Sequence, residues 1–150
     1  MPTIRDLSKP PKVAPGMGVT ESLHNALYMA ESDTFSISDT LPCILFRVPA
    51  NTYIYDFMVN VQTAFADSAS GATLLAGYNG DSDAFLASTT AVSIKNYSMH
   101  GAAGGVKSGG YLTTGAMNIE VSWATTCSVG GGQARIIFKS YGEEGFLDNP

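Results

Sequence analysis

The stretch that decides the fold is Asn51–Phe65, with the sequence NTYIYDFMVNVQTAF. Every second position is aromatic or β-branched, and these positions are Tyr53, Tyr55, Phe57, Val59, Val61, Thr63 and Phe65. The intervening positions include the polar Asp56, Asn60 and Gln62. Alternation of this length predicts one long strand that is buried on one face. We therefore expect the odd-numbered series to face a common core.

Shorter strands are predicted on both sides of this stretch. They cover Thr34–Ser38, Cys43–Val48, Thr73–Tyr78, Phe85–Ile94, Ala116–Ala124 and Ala134–Tyr141. Asn79-Gly80 is a strong turn signal, and the glycine-rich His100–Gly110 reads as a loop. The three glycines from Gly130 to Gly132 predict a hairpin loop, Ser128–Gln133, between the last two strands.

No segment after residue 30 has the 3.6-residue period of a helix. Many short strands separated by turns predict an all-β protein, a β-sandwich that we expect to be jelly-roll-like. Its core should combine three side chains of the long strand with five of the last two strands. We expect Phe57, Val59, Val61, Ile119, Val121, Trp123, Ile136 and Phe138 to be buried together.

Three regions are predicted along the chain: an extended N-terminal arm (1–27), the β-sandwich (28–142) and a C-terminal tail (143–150). Four prolines among the first 18 residues exclude a regular helix or a central strand there. We expect this arm to add little to its own sandwich and to lie along another chain instead. Its candidate contact residues are Ile4, Arg5, Leu7, Lys9, Lys12, Val13 and Met17.

Composition narrows the possible functions. Charged residues make up only 14% of the chain and the net charge is −5, so clustered cations for binding nucleic acid are missing. The low charge indicates a surface rich in Ser, Thr and Gly, burial against partners, or both. No stretch predicts a membrane span or an export signal. Cys43 and Cys127 are therefore expected to be free thiols.

Motifs for catalysis or cofactor binding are weak, and no cofactor or metal is expected. Lys107 in the glycine-rich loop is preceded by Val106, where a phosphate loop needs glycine. The alternating Asp81 and Asp83 lack the glycine and glutamate of a calcium loop, which leaves a polar turn. Asp56 and Glu120 are expected on solvent-facing sides of their strands. We find no Ser–His pair with a third group to orient it, and we expect no enzyme activity.

Four short motifs follow one another along the chain: FRVPAN (46–51) before the long strand, TLLAGY (73–78), GDSDAFLA (80–87) and GGGQARIIF (130–138). Over residues 40 to 140 their order resembles that in small structural proteins of tailed bacteriophage virions. This resemblance implies a β-sandwich that decorates or cements the outside of the capsid, with the major capsid protein as partner. It also implies a homo-oligomer, with a trimer favoured, located in virions assembled in the host cytoplasm.

Two alternatives remain open at this point. A neck, tail or fibre component would have the same type of fold as a capsid decoration protein. A carbohydrate-binding module is the alternative from a different functional class, and it would need exposed aromatic residues. Tyr53, Tyr55, Phe57 and Trp123 are the candidates for such a shelf, although their alternate positions favour the core.

Overall fold

The computed structural model describes residues 2–7, 27–67, 72–90, 93–101, 104–107 and 109–141. All its regular elements are β-strands, and no helix that could cross a membrane occurs in this part of the chain. In chain order the strands are Arg5–Asp6 (β1), Tyr28–Glu31 (β2), Phe35–Ser36 (β3), Cys43–Val48 (β4), Thr52–Asp67 (β5), Thr73–Tyr78 (β6), Asp81–Thr90 (β7), Asn96–Ser98 (β8), Tyr111–Leu112 (β9), Met117–Trp123 (β10) and Cys127–Ser140 (β11).

The strands form two sheets. Sheet A has the order β1-β4-β10-β6-β7, in which β1 runs parallel to β4 and the other pairs are antiparallel. Sheet B has the order β2-β11-β5-β8, with β3 also paired to β11 and β9 to β5. This architecture confirms the predicted all-β sandwich, and its jelly-roll connectivity stays a prediction.

The core lies between the sheets and contains all eight side chains predicted for it. Trp123 of sheet A lies between two rings contributed by sheet B. Its ring centroid is 5.8 Å from that of Phe35, nearly parallel at 7°, and 5.7 Å from that of Phe65. Farther along the sandwich, Phe57 meets Phe85 at 5.7 Å. These contacts join the two sheets through their largest side chains.

The long strand does not keep one face inward throughout. Ile137 pairs with Asp56 but Phe138 pairs with Ile54, so Tyr55 is an extra residue in β5. Such a bulge reverses the facing of the residues beyond it. Ile54 is therefore fully buried and Tyr55 is 39% exposed. The expectation that Tyr53 and Tyr55 share the core face is wrong; Thr63, near a second irregularity, is also exposed.

The glycine run lies within β11, and the predicted hairpin Ser128–Gln133 is wrong. Gly130 has φ +151°, and a Cβ there would collide with the ring of Phe65. A Cβ on Gly131 would approach the carbonyl oxygen of Phe35 to 2.7 Å. These glycines are thus needed for close packing of neighbouring strands. The preceding turn is at Thr125–Thr126, and it connects β10 in sheet A to β11 in sheet B.

The segment Asp81–Asp83 also differs from its prediction as a polar turn. The turn is confined to Asn79-Gly80, where Gly80 has φ +121°. Asp81 pairs with Tyr78 and begins β7, which ends at Thr90.

Asp56 on β5 and Glu120 on β10 belong to different sheets, so their side chains do not meet across neighbouring strands.

Candidate interaction surfaces

The described part of the N-terminal arm belongs to the sandwich. Arg5 and Asp6 extend sheet A beside β4, and the Leu7 N–H donates to the Arg47 carbonyl at 2.8 Å. Leu7 is only 7% exposed and is part of the core. The expectation that the arm adds little to its own sandwich is therefore wrong for residues 2–7. Prolines 10, 11 and 15 lie beyond this strand, so they do not prevent its pairing.

Asp33 connects the start of the arm to sheet B. Its Oδ2 accepts a hydrogen bond from the Thr3 N–H at 3.1 Å, and its Oδ1 lies 3.5 Å from Arg5 Nη2. The Thr3 bond and the nearby Arg5 charge lower the pKa of the Asp33 carboxyl. Asp33 follows β2 in the chain, so this contact connects the edges of sheets A and B.

Only part of the predicted contact set can be located. Ile4 is 38% exposed, Arg5 is exposed and paired with Asp33, and Leu7 is buried. The remaining predicted residues lie outside the described part of the chain: Lys9, Lys12, Val13 and Met17. A groove of about 450 Å³ is lined by residues of β1 and β2 and by Phe138 of β11. Met29 beside this groove is 59% exposed.

The outer face of sheet B carries an aromatic patch that the sequence pattern assigned to the core. The ring centroids of Tyr53 and Tyr55 are 4.6 Å apart in an edge-to-face contact. Leu112 of β9, which pairs with Tyr53 of β5, is 45% exposed. Burial raises the pKa of Tyr141, and the adjacent Tyr55 phenol raises it further. Lys139 places its ammonium 5.4 Å from the Tyr141 ring centroid, which completes a partly exposed patch with one cation.

Polar side chains continue across the same face. Arg135 Nη2 lies 2.7 Å from Glu31 Oε1, and the Asn60 amide donates to Asn96 Oδ1 at 2.7 Å. With Gln133 these side chains line an open groove of about 360 Å³. Their charges and amides largely satisfy one another, so this groove is polar and close to neutral.

Ser98, Asp56 and His100 meet beside the aromatic patch but do not form a nucleophile–base pair. The Ser98 hydroxyl donates to Asp56 Oδ1 at 3.2 Å rather than to the imidazole. His100 Nε2 lies 2.6 Å from the Tyr55 carbonyl oxygen, which can only accept, so Nε2 carries the proton. The Tyr55 carbonyl therefore fixes the His100 tautomer, a contact that the glycine-rich sequence around His100 does not predict. In the described residues, no three His, Cys, Asp or Glu side chains are grouped to hold a metal.

The outer face of sheet A contains one carboxylate in an unexpected position. Glu120 lies on the central strand β10 and is only 8% exposed. Its cross-strand neighbours are Ile44 and Gly77. Burial raises the pKa of the Glu120 carboxyl. The prediction that Glu120 is an ordinary solvent-facing acid is wrong, because the neighbouring segments cover it.

Comparison with known proteins identifies the fold. No protein-family model and no curated protein sequence matches the chain. A chain of the cyanophage Pam1 capsid asymmetric unit matches with a TM-score of 0.59 and 12% identity, over 89% of this chain and 95% of that chain. A chain of the acidic stable capsid of Helicobacter pylori bacteriophage KHP30 matches with a TM-score of 0.58 and 14% identity, over 77% and 88%. At these identities the likeness shows a shared fold.

Cys43 and Cys127 form no disulfide with each other in this fold. Cys43 is fully buried in the core, and its pKa is raised to about 12, mainly by burial and further by Asp39. Cys127 is partly exposed at the start of β11. The Cys43 sulfur is therefore not arranged as an activated nucleophile, which requires a depressed thiol pKa.

The sequence pattern did not predict the aromatic patch on sheet B or the shielded Glu120 on sheet A. The aromatic patch depends on the bulge at Tyr55, and no glycine or proline marks that position. Glu120 fits the outward phase of β10, and only the chain segments packed around it make it buried. A charged residue in the middle of a strand that is apolar on its other face is the one local signal that could have drawn attention to it.

Proposed function

We propose that this chain is a structural protein of a tailed-bacteriophage virion, and that it binds the outside of the capsid shell as a decoration or cement protein. The observation that carries the proposal is the whole-chain likeness to the Pam1 capsid chain, since 95% of that chain is covered by this fold. The chain matched there thus contains little besides this sandwich. The sequence motifs at residues 46–51, 80–87 and 130–138 independently resemble virion structural proteins.

The surfaces fit a role in adhesion. The sandwich is held rigid by its aromatic core, and its outer faces carry partly exposed groups such as Tyr55, Leu112 and Met29. The major capsid protein is the proposed partner, and a closed homo-oligomer, with a trimer favoured, is the proposed form. Attachment through protein contacts requires no enzyme activity, nucleic acid or membrane. The proposed location is the virion, after assembly in the host cytoplasm.

Quantitative mass spectrometry of purified virions tests this function. A shell protein should be present at on the order of hundreds of copies, because shell symmetry repeats each contact many times. About six or twelve copies would instead favour a neck, tail or fibre component. Absence of the chain from virions would contradict every structural role. Adding purified protein to particles that lack it, followed by sedimentation, tests whether attachment occurs from the outside.

A carbohydrate-binding module is a second candidate, favoured by the outward Tyr53 and Tyr55. Tyrosine rings beside polar groups such as Asp56 and His100 can stack on sugars and bind their hydroxyls. The proposal of glycan binding predicts that the isolated protein binds an oligosaccharide on a bacterial glycan array. Tyr55→Ala should abolish this binding, while Leu112→Ala should weaken it less because it removes no aromatic ring. Absence of glycan binding by the unaltered protein would reject this candidate.

A further inference from the structure

Glu120 is an acid in a place where a strand face would normally be open to water. Its neighbours Ile119 and Val121 are fully buried, so the Glu120 side chain lies on the opposite, outer face of sheet A. It is nevertheless 92% shielded, because its residue exposure is 8%. The β7 segment lies close over the adjacent Gly77, where a Cβ would come within 2.8 Å of the Ala84 nitrogen. The Glu120 side chain therefore lies on the outer face of β10, next to the β7 segment that covers Gly77.

Within the part of the chain that the structure describes, this carboxylate has no partner. No hydrogen bond or ion pair connects Glu120 to any other group of the described structure. Burial is the sole cause of its raised pKa, and no nearby cation opposes it. Burying an unpaired carboxylate opposes folding, whereas a cation brought into contact with it removes much of that cost. A positive group from outside the chain would thus stabilise this shielded carboxylate.

Arg47 supplies the complementary feature on the same face. It is exposed on β4 and pairs across the strands with Asn118, two residues before Glu120 on β10. Within the described residues the Arg47 guanidinium has no hydrogen bond, ion pair or ring contact. One face therefore presents a shielded acid that no cation contacts and an exposed cation that no acid contacts, although Asp6 lies opposite Arg47 in the pairing of β1 with β4.

We propose that the outer face of sheet A is an interface between copies of this chain, in which Arg47 of one copy forms an ion pair with Glu120 of the next. A second copy is the favoured occupant because this face is complementary in charge to itself. A closed symmetric assembly repeats the pair once per subunit. Arginine suits the site because its planar guanidinium binds a carboxylate through two parallel hydrogen bonds. The inference concerns the isolated protein and does not depend on attachment to a capsid.

A double-mutant cycle in sedimentation equilibrium tests this pair. Glu120→Gln and Arg47→Gln should each weaken self-association by about tenfold or more, because each leaves the partner group unpaired at the interface. The dissociation constant of the double variant should be within about twofold of that of the single variant that associates more weakly, since the interaction is already lost. Asp83→Asn, an exposed acid on the edge of the same sheet, makes the same charge change and should alter association by less than about twofold.

Glu120→Gln should move two measurements in opposite directions. In dilute solution, where the protein is dissociated, the variant should melt at a higher temperature than the unaltered chain at neutral pH, because it removes a buried unpaired charge. Its self-association should nevertheless be weaker. A residue with a merely structural role would not give opposite changes in melting and association.

Charge reversal provides an independent check. Arg47→Glu should abolish association, and adding Glu120→Lys to it should restore association to within about tenfold of the unaltered chain. Circular dichroism must first show that this double variant is folded; if it is unfolded, the neutral cycle decides alone. A monomer throughout the micromolar range would overturn the proposal. So would losses from the two neutral variants that multiply to about a hundredfold, because they would show that Arg47 and Glu120 act independently.

Discussion

Replacing Leu7 by alanine tests whether the N-terminal segment is part of the sandwich. Leucine loses three carbon atoms in this change, and each buried methylene is worth about 0.8 kcal/mol. With Leu7 93% shielded, the transfer cost is roughly 2 kcal/mol, and an unfilled cavity adds to it. We therefore expect the free energy of unfolding to fall by about 2–3 kcal/mol. For 150 residues this corresponds to a decrease in Tm of roughly 5–10 °C.

Guanidinium unfolding followed by tryptophan fluorescence measures this effect directly. Trp123 is the single tryptophan of the chain and lies in the core between two aromatic rings, so it reports loss of the sandwich. Ile4→Ala is the matched control, because Ile4 belongs to the same segment but is 38% exposed. Its loss should be below about 1 kcal/mol.

The unfolding free energies of the two variants together show whether residues 5–6 act as a strand of the sandwich or as an independent arm. If Leu7→Ala unfolds within about 0.5 kcal/mol of both the unaltered chain and Ile4→Ala, the pairing of β1 with β4 contributes nothing to stability. The segment would then be an independent arm, as the sequence alone indicated, and its contact with the Arg47 carbonyl would be incidental. A full loss with an unchanged denaturant dependence would instead place β1 in the cooperative unit.

Two other substitutions and one thiol titration test separate parts of the structure. Trp123→Ala should cost about 3–5 kcal/mol of stability in thermal unfolding followed by circular dichroism, and an unchanged Tm would contradict its place in the core. Glu120→Gln should raise stability at neutral pH, with the gain lost below about pH 4, because a raised folded-state pKa penalises the ionised form as pH rises. A gain that persists at pH 3 would exclude charge burial as its cause. In a thiol titration without reductant, Cys127 should react in the native protein and Cys43 only after denaturation; equal native rates would show that Cys43 is accessible.

The sequence pattern was sufficient for elements whose pairing follows local alternation. Cys43–Val48 and Thr73–Tyr78 are strands over the residues predicted, since proline and turn residues bound them. The core side chains of β10 and β11, such as Ile119 and Ile136, were also predictable, because apolar side chains at every second position have one face to bury.

Errors arose where a single residue changed the phase of a strand. The bulge at Tyr55 turns Tyr53 and Tyr55 outward and Ile54 inward, although the residue types in the sequence alternate without interruption. Gly130 and its neighbours resemble a turn in any local window, but they are required because Phe65 and the β3 backbone pack against them. The partner strands that decide both features lie more than 60 residues away in the chain.

The sequence by itself determined that this protein is an all-β sandwich with an aromatic core, because strand periodicity and composition are local properties. Tertiary structure alone decided which surfaces can bind. Burial of Leu7 depends on pairing with β4, and shielding of Glu120 depends on Ile44 and on the β7 segment over Gly77. Exposure of a side chain is set by neighbours that are distant in sequence, so no local pattern encodes it.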